Sequence, residues 1–300
     1  MGAKLRIVRR RIRSVQSTMK ITRAMELIAA SRILKAQQRV GRARPYAERL
    51  TAAIADVASA TTSAASPLVT ERPDRRSAAV LLVTSDRGLA GGYNANVLKK
   101  GEELFSLLRQ EGKTAKVFVT GRKGVSYCRF RGRPMEASWT GFSETPTYAH
   151  AKEIADALIA AYEAGDVDEI HGVFTDFVSP VRQTAVAMRF VPMVMEVVDR
   201  PERGPVAQYL FEPEPEALLN ALLPRYVETR VYNALLESAA SEHAARRRAM
   251  TAATENAEGL IKVLTRVANQ ARQTEITTEI IEIVGGAEAL RQAGASAGRR

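Results

Sequence analysis

The sequence predicts an α/β central domain set between two long helices, one at each end of the chain, that wind together as an antiparallel left-handed coiled coil. Three observations carry this. From Leu5 to Val40, mostly apolar residues recur at alternating spacings of three and four, the seam of a coiled coil. From Glu214 to about Leu290 the only proline is Pro224 and the only glycines are Gly259, Gly285 and Gly286, which permits one uninterrupted helix. Between these ends, short apolar runs alternate with amphipathic stretches, the pattern of a mainly parallel, Rossmann-like sheet with helices on its faces.

The N-terminal seam is Leu5, Val8, Ile12, Val15, Met19, Thr22, Glu26, Ala29, Ile33, Ala36 and Val40. It is apolar except at Thr22 and Glu26, where the neighbouring stripe Ile21, Met25 and Ile28 predicts that the seam drifts around the helix. Pro45 is expected to cause at most a local kink, because Leu50, Ile54 and Val57 continue at helical spacing. A Thr, Ser and Ala tract followed by Pro67 and Pro73 ends the segment. A helix from Ala3 to about Ala58 would span roughly 80 Å, too long for a compact domain to enclose.

At the other end, Leu260, Leu264, Val267, Ala271, Thr274, Thr278 and Ile281 repeat the alternation of four and three. Two long helices with narrow apolar stripes are each other's natural partners, and the domain between them lets them run antiparallel. The expected boundaries are a helix over 1–60, a linker over 61–76, an α/β domain over 77–205, a helix over 206–290 and a frayed tail over 291–300.

Within the middle, Ala78 to Thr84 and Ala115 to Thr120 read as buried strands, and Asn94 to Gln110 and Thr147 to Ala164 as amphipathic helices. Glu169 to Phe177 and Thr184 to Val191, joined across Ser179 and Pro180, read as a closing hairpin.

Composition narrows the function classes. With 46% hydrophobic residues in 300, the chain can bury a proper core. The formal charge of +11 predicts an anionic partner: nucleic acid, lipid headgroups or an acidic protein surface. A single cysteine, Cys128, excludes a disulfide framework within the chain and any cysteine-based metal site. Apolar runs such as Ala78 to Val83 and Val191 to Val198 stop far short of the ~20 residues a membrane span needs, so membrane association must be indirect. The first 25 residues are amphipathic, Arg-rich and free of acids, as in a transit peptide. The helical pattern, however, runs past Glu26 to about Leu50 with no change of composition, which favours a helix that is retained.

The loop Ser85-Asp86-Arg87-Gly88-Leu89-Ala90-Gly91-Gly92-Tyr93-Asn94 follows a strand and opens a helix, where phosphate-binding loops sit. It lacks the Gly-Lys-Ser/Thr ending of a nucleotide loop and the dinucleotide glycine spacing, so a tight turn competes with a phosphate site. His150, His171 and His243 are scattered without ligand spacing, and neither a nucleophile elbow nor a paired-His motif accompanies them. Cys128 lies in the amphipathic run Val125 to Phe130 and reads as a core residue. No catalytic, metal or cofactor residue is therefore assigned.

Lys4, Arg6, Arg9, Arg10, Arg11, Arg13, Lys20, Arg23 and Arg32 surround the first helix, with no acid before Glu26. A solvated coiled coil mixes signs at its flanks, so this bias favours an acidic partner surface. A basic coiled-coil nucleic-acid binder is an alternative, although no zinc finger, RNA-recognition motif or stacking aromatics accompany the charge. A nucleotide-dependent enzyme using the Gly88 to Asn94 loop is another.

Three motifs in order, namely Lys20-Ile21-Thr22-Arg23-Ala24-Met25-Glu26-Leu27-Ile28-Ala29-Ala30-Ser31-Arg32, the loop Ser85 to Gly92, and Ile276-Thr277-Thr278-Glu279-Ile280-Ile281-Glu282-Ile283-Val284-Gly285-Gly286-Ala287, resemble the gamma-subunit family of F-type ATP synthases. The similarity covers nearly the whole chain, and Ile276, Thr277, Glu279, Glu282, Gly286 and Ala287 fit that family's C-terminal signature in identity and spacing. The resemblance implies a non-catalytic central-stalk rotor without cofactor, coupling proton flow to conformational cycling of the catalytic hexamer of alpha and beta subunits. It implies that the α/β domain joins the epsilon subunit and the membrane ring of c subunits, at the cytoplasmic face of a bacterial cell membrane. It further implies that Met25 and basic residues such as Arg9, Arg10 and Arg11 face an acidic loop of a beta subunit. Arg246, Gln273, Thr277 and Glu279 would make polar contacts with the hexamer. Ala90 stands where the family often has cysteine, and no cysteine-bearing regulatory insertion is present.

Overall fold

The computed structural model describes residues 3–59, 72, 75–193 and 214–297. Most of the expected linker 61–76, residues 194–213, and the last three residues of the expected tail lie outside the described residues. The chain divides into two compact units, Met1–Leu27 with Ala249–Arg300, and Ile28–Arg248. Each of the two long helices contributes a segment to both.

Helix α1 spans Ala3–Ser59 and continues through Pro45. Its covered face is the seam expected from spacing: Leu5, Thr22, Ala29, Ile33 and Ala36 are buried, and Val8, Ile12, Val15, Met19, Glu26 and Val40 are half-buried. The seam does not drift. Ile21 and Ile28 remain 58% and 52% exposed, and only Met25 of that stripe is half-buried. Polar pairing explains why. Thr22 Oγ1 lies 2.7 Å from Thr254 Oγ1. Each hydroxyl also reaches a carbonyl of its own helix, Met19 at 3.0 Å and Met250 at 2.9 Å, so the buried pair is satisfied whichever group donates. Glu26 pairs with Arg23 at 3.4 Å.

Helix α5 spans Pro215–Ala297 and continues through Pro224. It extends through most of the segment expected to be a frayed tail, because Arg, Gln and Ala are strong helix formers opposed there only by Gly294. Its seam keeps Leu264 and Ala271 of the expected one and otherwise differs. The covered positions are Met250, Thr254, Ala257, Ile261, Leu264, Ala268, Ala271 and Glu275, whereas Leu260, Thr274, Thr278 and Ile281 are exposed and Val267 is 36% exposed. Both sets alternate four and three, so periodicity alone does not choose between them. The set that wins carries the small residues, which let two helices approach closely, and the threonine that meets Thr22. Counting seventeen residues back from Thr22 and seventeen forward from Thr254 places Leu5 opposite Ala271 in an antiparallel pair. Coverage on α5 indeed stops just beyond, at Glu275. The seven-residue period is that of a left-handed supercoil.

In the larger unit, β1 (Ser77–Val83), α2 (Tyr93–Gln110), β2 (Thr114–Thr120), α3 (Arg122–Phe130), β3 (Ala137–Trp139), α4 (Tyr148–Glu163), β4 (Glu169–Phe177) and β5 (Gln183–Val191) follow in order. The sheet order is β3-β2-β1-β4-β5, with β1 to β4 parallel and β5 antiparallel to β4, closing the hairpin. One sheet face packs on α4 and on both long helices, where Leu50, Ile54, Leu158, Val227 and Val231 share a core with Leu81 and Phe174. The other face packs on α2 and α3 through Leu82, Val97, Phe105, Val119 and Cys128. The tip of the Phe190 ring abuts Gly172, where a Cβ would come within 2.2 Å of it. Thr147 caps α4 in a reciprocal pair with His150.

Candidate functional site

The chain reverses its winding between β1 and β4, and the loop after β1 opens at that point, the usual ligand crevice of such sheets. Here the crevice is filled by the protein itself. The Asp86 carboxylate accepts from the backbone N–H groups of Arg122 at 3.1 Å, Gly141 at 2.8 Å and Ser143 at 3.0 Å. Burial pushes its pKa up, but the backbone donors of Ser143, Gly141 and Arg122 outweigh this and hold the carboxyl below its ordinary value. The Asp86 carboxylate thus places a fixed negative charge beside the loop, held by N–H groups of the α3 start and of the loop before α4. Ser85 and Asn94 close the loop across its mouth, with Ser85 N–H donating to Asn94 Oδ1 at 3.0 Å. Gly121, at φ 87°, lets α3 start against the Thr84 carbonyl, where a Cβ would sit 2.2 Å from the oxygen. The tight-turn reading of the sequence describes this loop.

What the loop grips is α5. Ala90 and Tyr93 pack on Ala245, and Arg246 Nη2 donates to the Gly88 carbonyl at 3.3 Å. Arg246, assigned from the sequence to a partner contact, has a side chain only 7% exposed. It is engaged by Glu242 at 2.6 Å and Glu144 at 3.4 Å. Arg32 of α1 also pairs with Glu144, and Arg87 lies 3.8 Å from it. Burial raises the Glu242 pKa against the pull of Arg246. Next to it, burial lowers His243 to about 4, so this imidazole is neutral. This cluster ties α1, two loops and α5 together inside one unit. Only its Glu242–Arg246 spacing of four was legible as a helical pair; Glu144 comes from a loop and gave no signal.

The remaining candidate residues belong to the other unit and are accessible. Arg9, Arg10, Arg11, Gln273, Thr277 and Glu279 are exposed, and Met25 is half-buried beside the seam. Thr277 returns its hydroxyl to the Gln273 carbonyl at 2.9 Å. The signature positions Ile276, Glu282, Gly286 and Ala287 are exposed as well, in a stretch where Ile280, Ile281, Ile283 and Val284 are 55–72% exposed. Nothing in α1 covers this stretch. Arg246 is thus separated from the six exposed residues with which sequence reasoning grouped it.

His150 serves the α4 cap and stacks on Phe142 at 4.1 Å, and His171 lies 3.0 Å from Glu169. Glu169 in turn binds Lys113 and Arg75. Cys128 is fully buried, and burial raises its thiol pKa, so it behaves as core. Among the described residues, no group of His, Cys, Asp and Glu could hold a metal, and no helix is long and apolar enough to cross a membrane.

The family model described as ATP synthase matches residues 4–290. The ATP synthase gamma chain of Frankia casuarinae is 62% identical over 295 residues, covering 97% of this chain and 99% of that one. The chain belongs to the ATP synthase gamma family. The gamma chain of Mycolicibacterium smegmatis is 56% identical, covering 97% and 99%. Among solved structures, a chain of the Euglena gracilis mitochondrial ATP synthase (OSCP, F1 and c-ring, rotational state 3) has a TM-score of 0.68 at 16% identity, covering 98% of this chain and 97% of that one. A chain of the Tetrahymena thermophila mitochondrial ATP synthase (central stalk and c-ring) has a TM-score of 0.57 at 22% identity, covering 78% and 99%. These two establish the shared fold. As a gamma chain, the protein is a non-catalytic subunit of ATP synthase.

Proposed function

We propose that the chain works as the central-stalk rotor of its ATP synthase, with α1 and α5 turning inside a hexamer of alternating alpha and beta subunits. The α/β unit would join the epsilon subunit and the c-ring at the cytoplasmic face of the bacterial membrane, so that the chain is peripheral. One observation supports the reading most: α5 outlasts its partner helix and carries a bare, largely apolar stretch, Ile276–Ala287, left exposed among the described residues. A surface of that kind calls for an outside bearing. Arg9, Arg10, Arg11 and Met25 would meet an acidic loop of a beta subunit, and Gln273, Thr277 and Glu279 would supply polar contacts. Arg246 would act indirectly, by holding α5 to the Gly88 loop and Glu144.

Two unlike helices have no threefold symmetry, so three equivalent catalytic sites around them meet three different faces. Each face stabilises one conformation of the site it touches, within the limit set by its differential interaction free energy. Switching a site between 1:99 and 99:1 takes about 5.5 kcal/mol, which several charged and apolar contacts together can provide. The test is charge reversal of Arg9, Arg10 and Arg11 in the intact synthase. Proton pumping per ATP hydrolysed is expected to fall while helicity by circular dichroism is unchanged. Unaltered pumping stoichiometry would remove these residues from the coupling surface.

A further inference from the structure

A cavity of about 200 Å³ opens between the β4–β5 hairpin and α5, on the larger unit. Its floor is apolar, with Phe174 and Phe190 at 6.4 Å between ring centroids and Met188 beside them. Asp176 and Glu237 line it, together with Arg230. Arg230 is already engaged, its Nε donating to the Tyr226 hydroxyl at 3.0 Å and its guanidinium lying over that ring. Neither the Asp176 nor the Glu237 carboxyl makes a side-chain hydrogen bond or ion pair among the described residues. Two acids without a hydrogen-bonded or ion-paired side chain thus face a chamber with an apolar floor and polar walls that include Asn233 and Arg230.

We propose that this cavity binds a small organic amine, its ammonium set between Asp176 and Glu237 and its apolar body on Phe174, Met188 and Phe190. An engineered apolar cavity of about 150 Å³ holds benzene, so this one has room for a ring and a short chain. A divalent metal ion is a poor occupant, since hard cations want six or more oxygens and the floor supplies none. An anion would meet two carboxylates, and an uncharged ligand would leave both unsatisfied. Burial, then the charge of Asp176, raise the Glu237 pKa to about 7 against Arg44 and Arg230, so the empty site keeps a proton that an ammonium would displace.

The probe is phenethylamine, titrated into the full-length chain by ligand-observed NMR, with phenethyl alcohol as its uncharged counterpart. Saturable binding of the amine is expected, tightening as pH rises from about 6 to about 8 while Glu237 loses its proton. The alcohol should bind on the order of tenfold more weakly, and Glu237→Gln should weaken the amine by a similar factor and flatten its pH dependence. Absence of saturable amine binding, equal binding of the alcohol, or a folded Glu237→Gln variant that binds as well as wild type would each overturn the proposal. If the variant fails to fold, the wild-type pH series and the amine–alcohol comparison decide it.

Discussion

Single side chains on α5 carry opposite pH signatures. Glu237 has its pKa raised from 4.5 to about 7, so below 4.5 it is protonated in both folded and unfolded chains and exerts no penalty. As pH climbs through that window the unfolded chain ionises first, and the fold loses at most roughly 3 kcal/mol. His243 is lowered from 6.5 to about 4, so the unfolded chain binds the proton first as pH falls through that range, and stability is lost on the acid side by a similar order. Between about pH 4.5 and 6.5 the two slopes oppose each other. Glu237→Gln is expected to raise the melting temperature at pH 8, and His243→Gln to flatten the loss between pH 6.5 and 4, both read from melting curves across pH. Parallel wild-type and variant curves would show that these groups are not buried as described. At Thr22 and Thr254 the expectation is different. Replacing one with Val leaves the other its own-helix carbonyl and should cost about 1 kcal/mol, whereas the double Val variant should recover most of it, because a buried pair replaced together leaves nothing unsatisfied. A double-mutant cycle measures this directly.

At the scale of elements, the long helices were legible because period and length are strong signals: the α1 seam matches its covered face position by position. The α5 seam was legible only in part: Leu264 and Ala271 are covered as expected, but Leu260, Val267 and Ile281 keep the same alternation as Ala257, Ile261 and Ala268, and size favours the wrong set. Close approach between helices rewards small residues, and only the partner's register reveals which stripe it touches. Helix α3 and strand β3 escaped full recognition because nine and three residues hold too few turns or alternations to show a period. Arg9, Arg10 and Arg11 were visible through the missing acids before Glu26, the other candidate partner residues only through family resemblance, and the burial of Arg246 was not legible because it depends on Glu144 and Gly88, distant in sequence. The α5 stretch after Glu275 has a further consequence. Because α1 covers none of Ile276–Ala287, ending the chain after Glu275 is expected to leave the melting temperature of the isolated chain within experimental error. A clear loss of stability would mean that this stretch packs on the chain itself.

At the scale of the whole molecule, the acid-free basic segment and the bare Ile276–Ala287 stretch belong to one unit, and the crevice after β1, where nucleotide chemistry is usual in such sheets, belongs to the other. Asp86 fills that crevice with a negative charge bound by three backbone donors. The net charge of +11, with no acid before Glu26, instead suits the N-terminal segment to the acidic protein surface proposed for it. Binding carried by exposed arginines weakens as salt shortens the screening length from about 10 Å at 0.1 M to about 3 Å at 1 M, while apolar contacts do not. Association of the chain with an alpha–beta hexamer should therefore lose its Arg9–Arg11 contribution at high salt yet persist through Ile276–Ala287. In practice, charge reversal of Arg9, Arg10 and Arg11 is expected to slow association strongly at low salt and barely at 1 M, whereas truncation after Glu275 should weaken retention at both. Surface plasmon resonance on an immobilised hexamer distinguishes them, and an arginine effect that is equally large at 1 M salt would refute the electrostatic assignment. In the same preparation the chain alone should release phosphate from ATP no faster than buffer, as befits a non-catalytic gamma chain whose loop after β1 carries the fixed charge of Asp86.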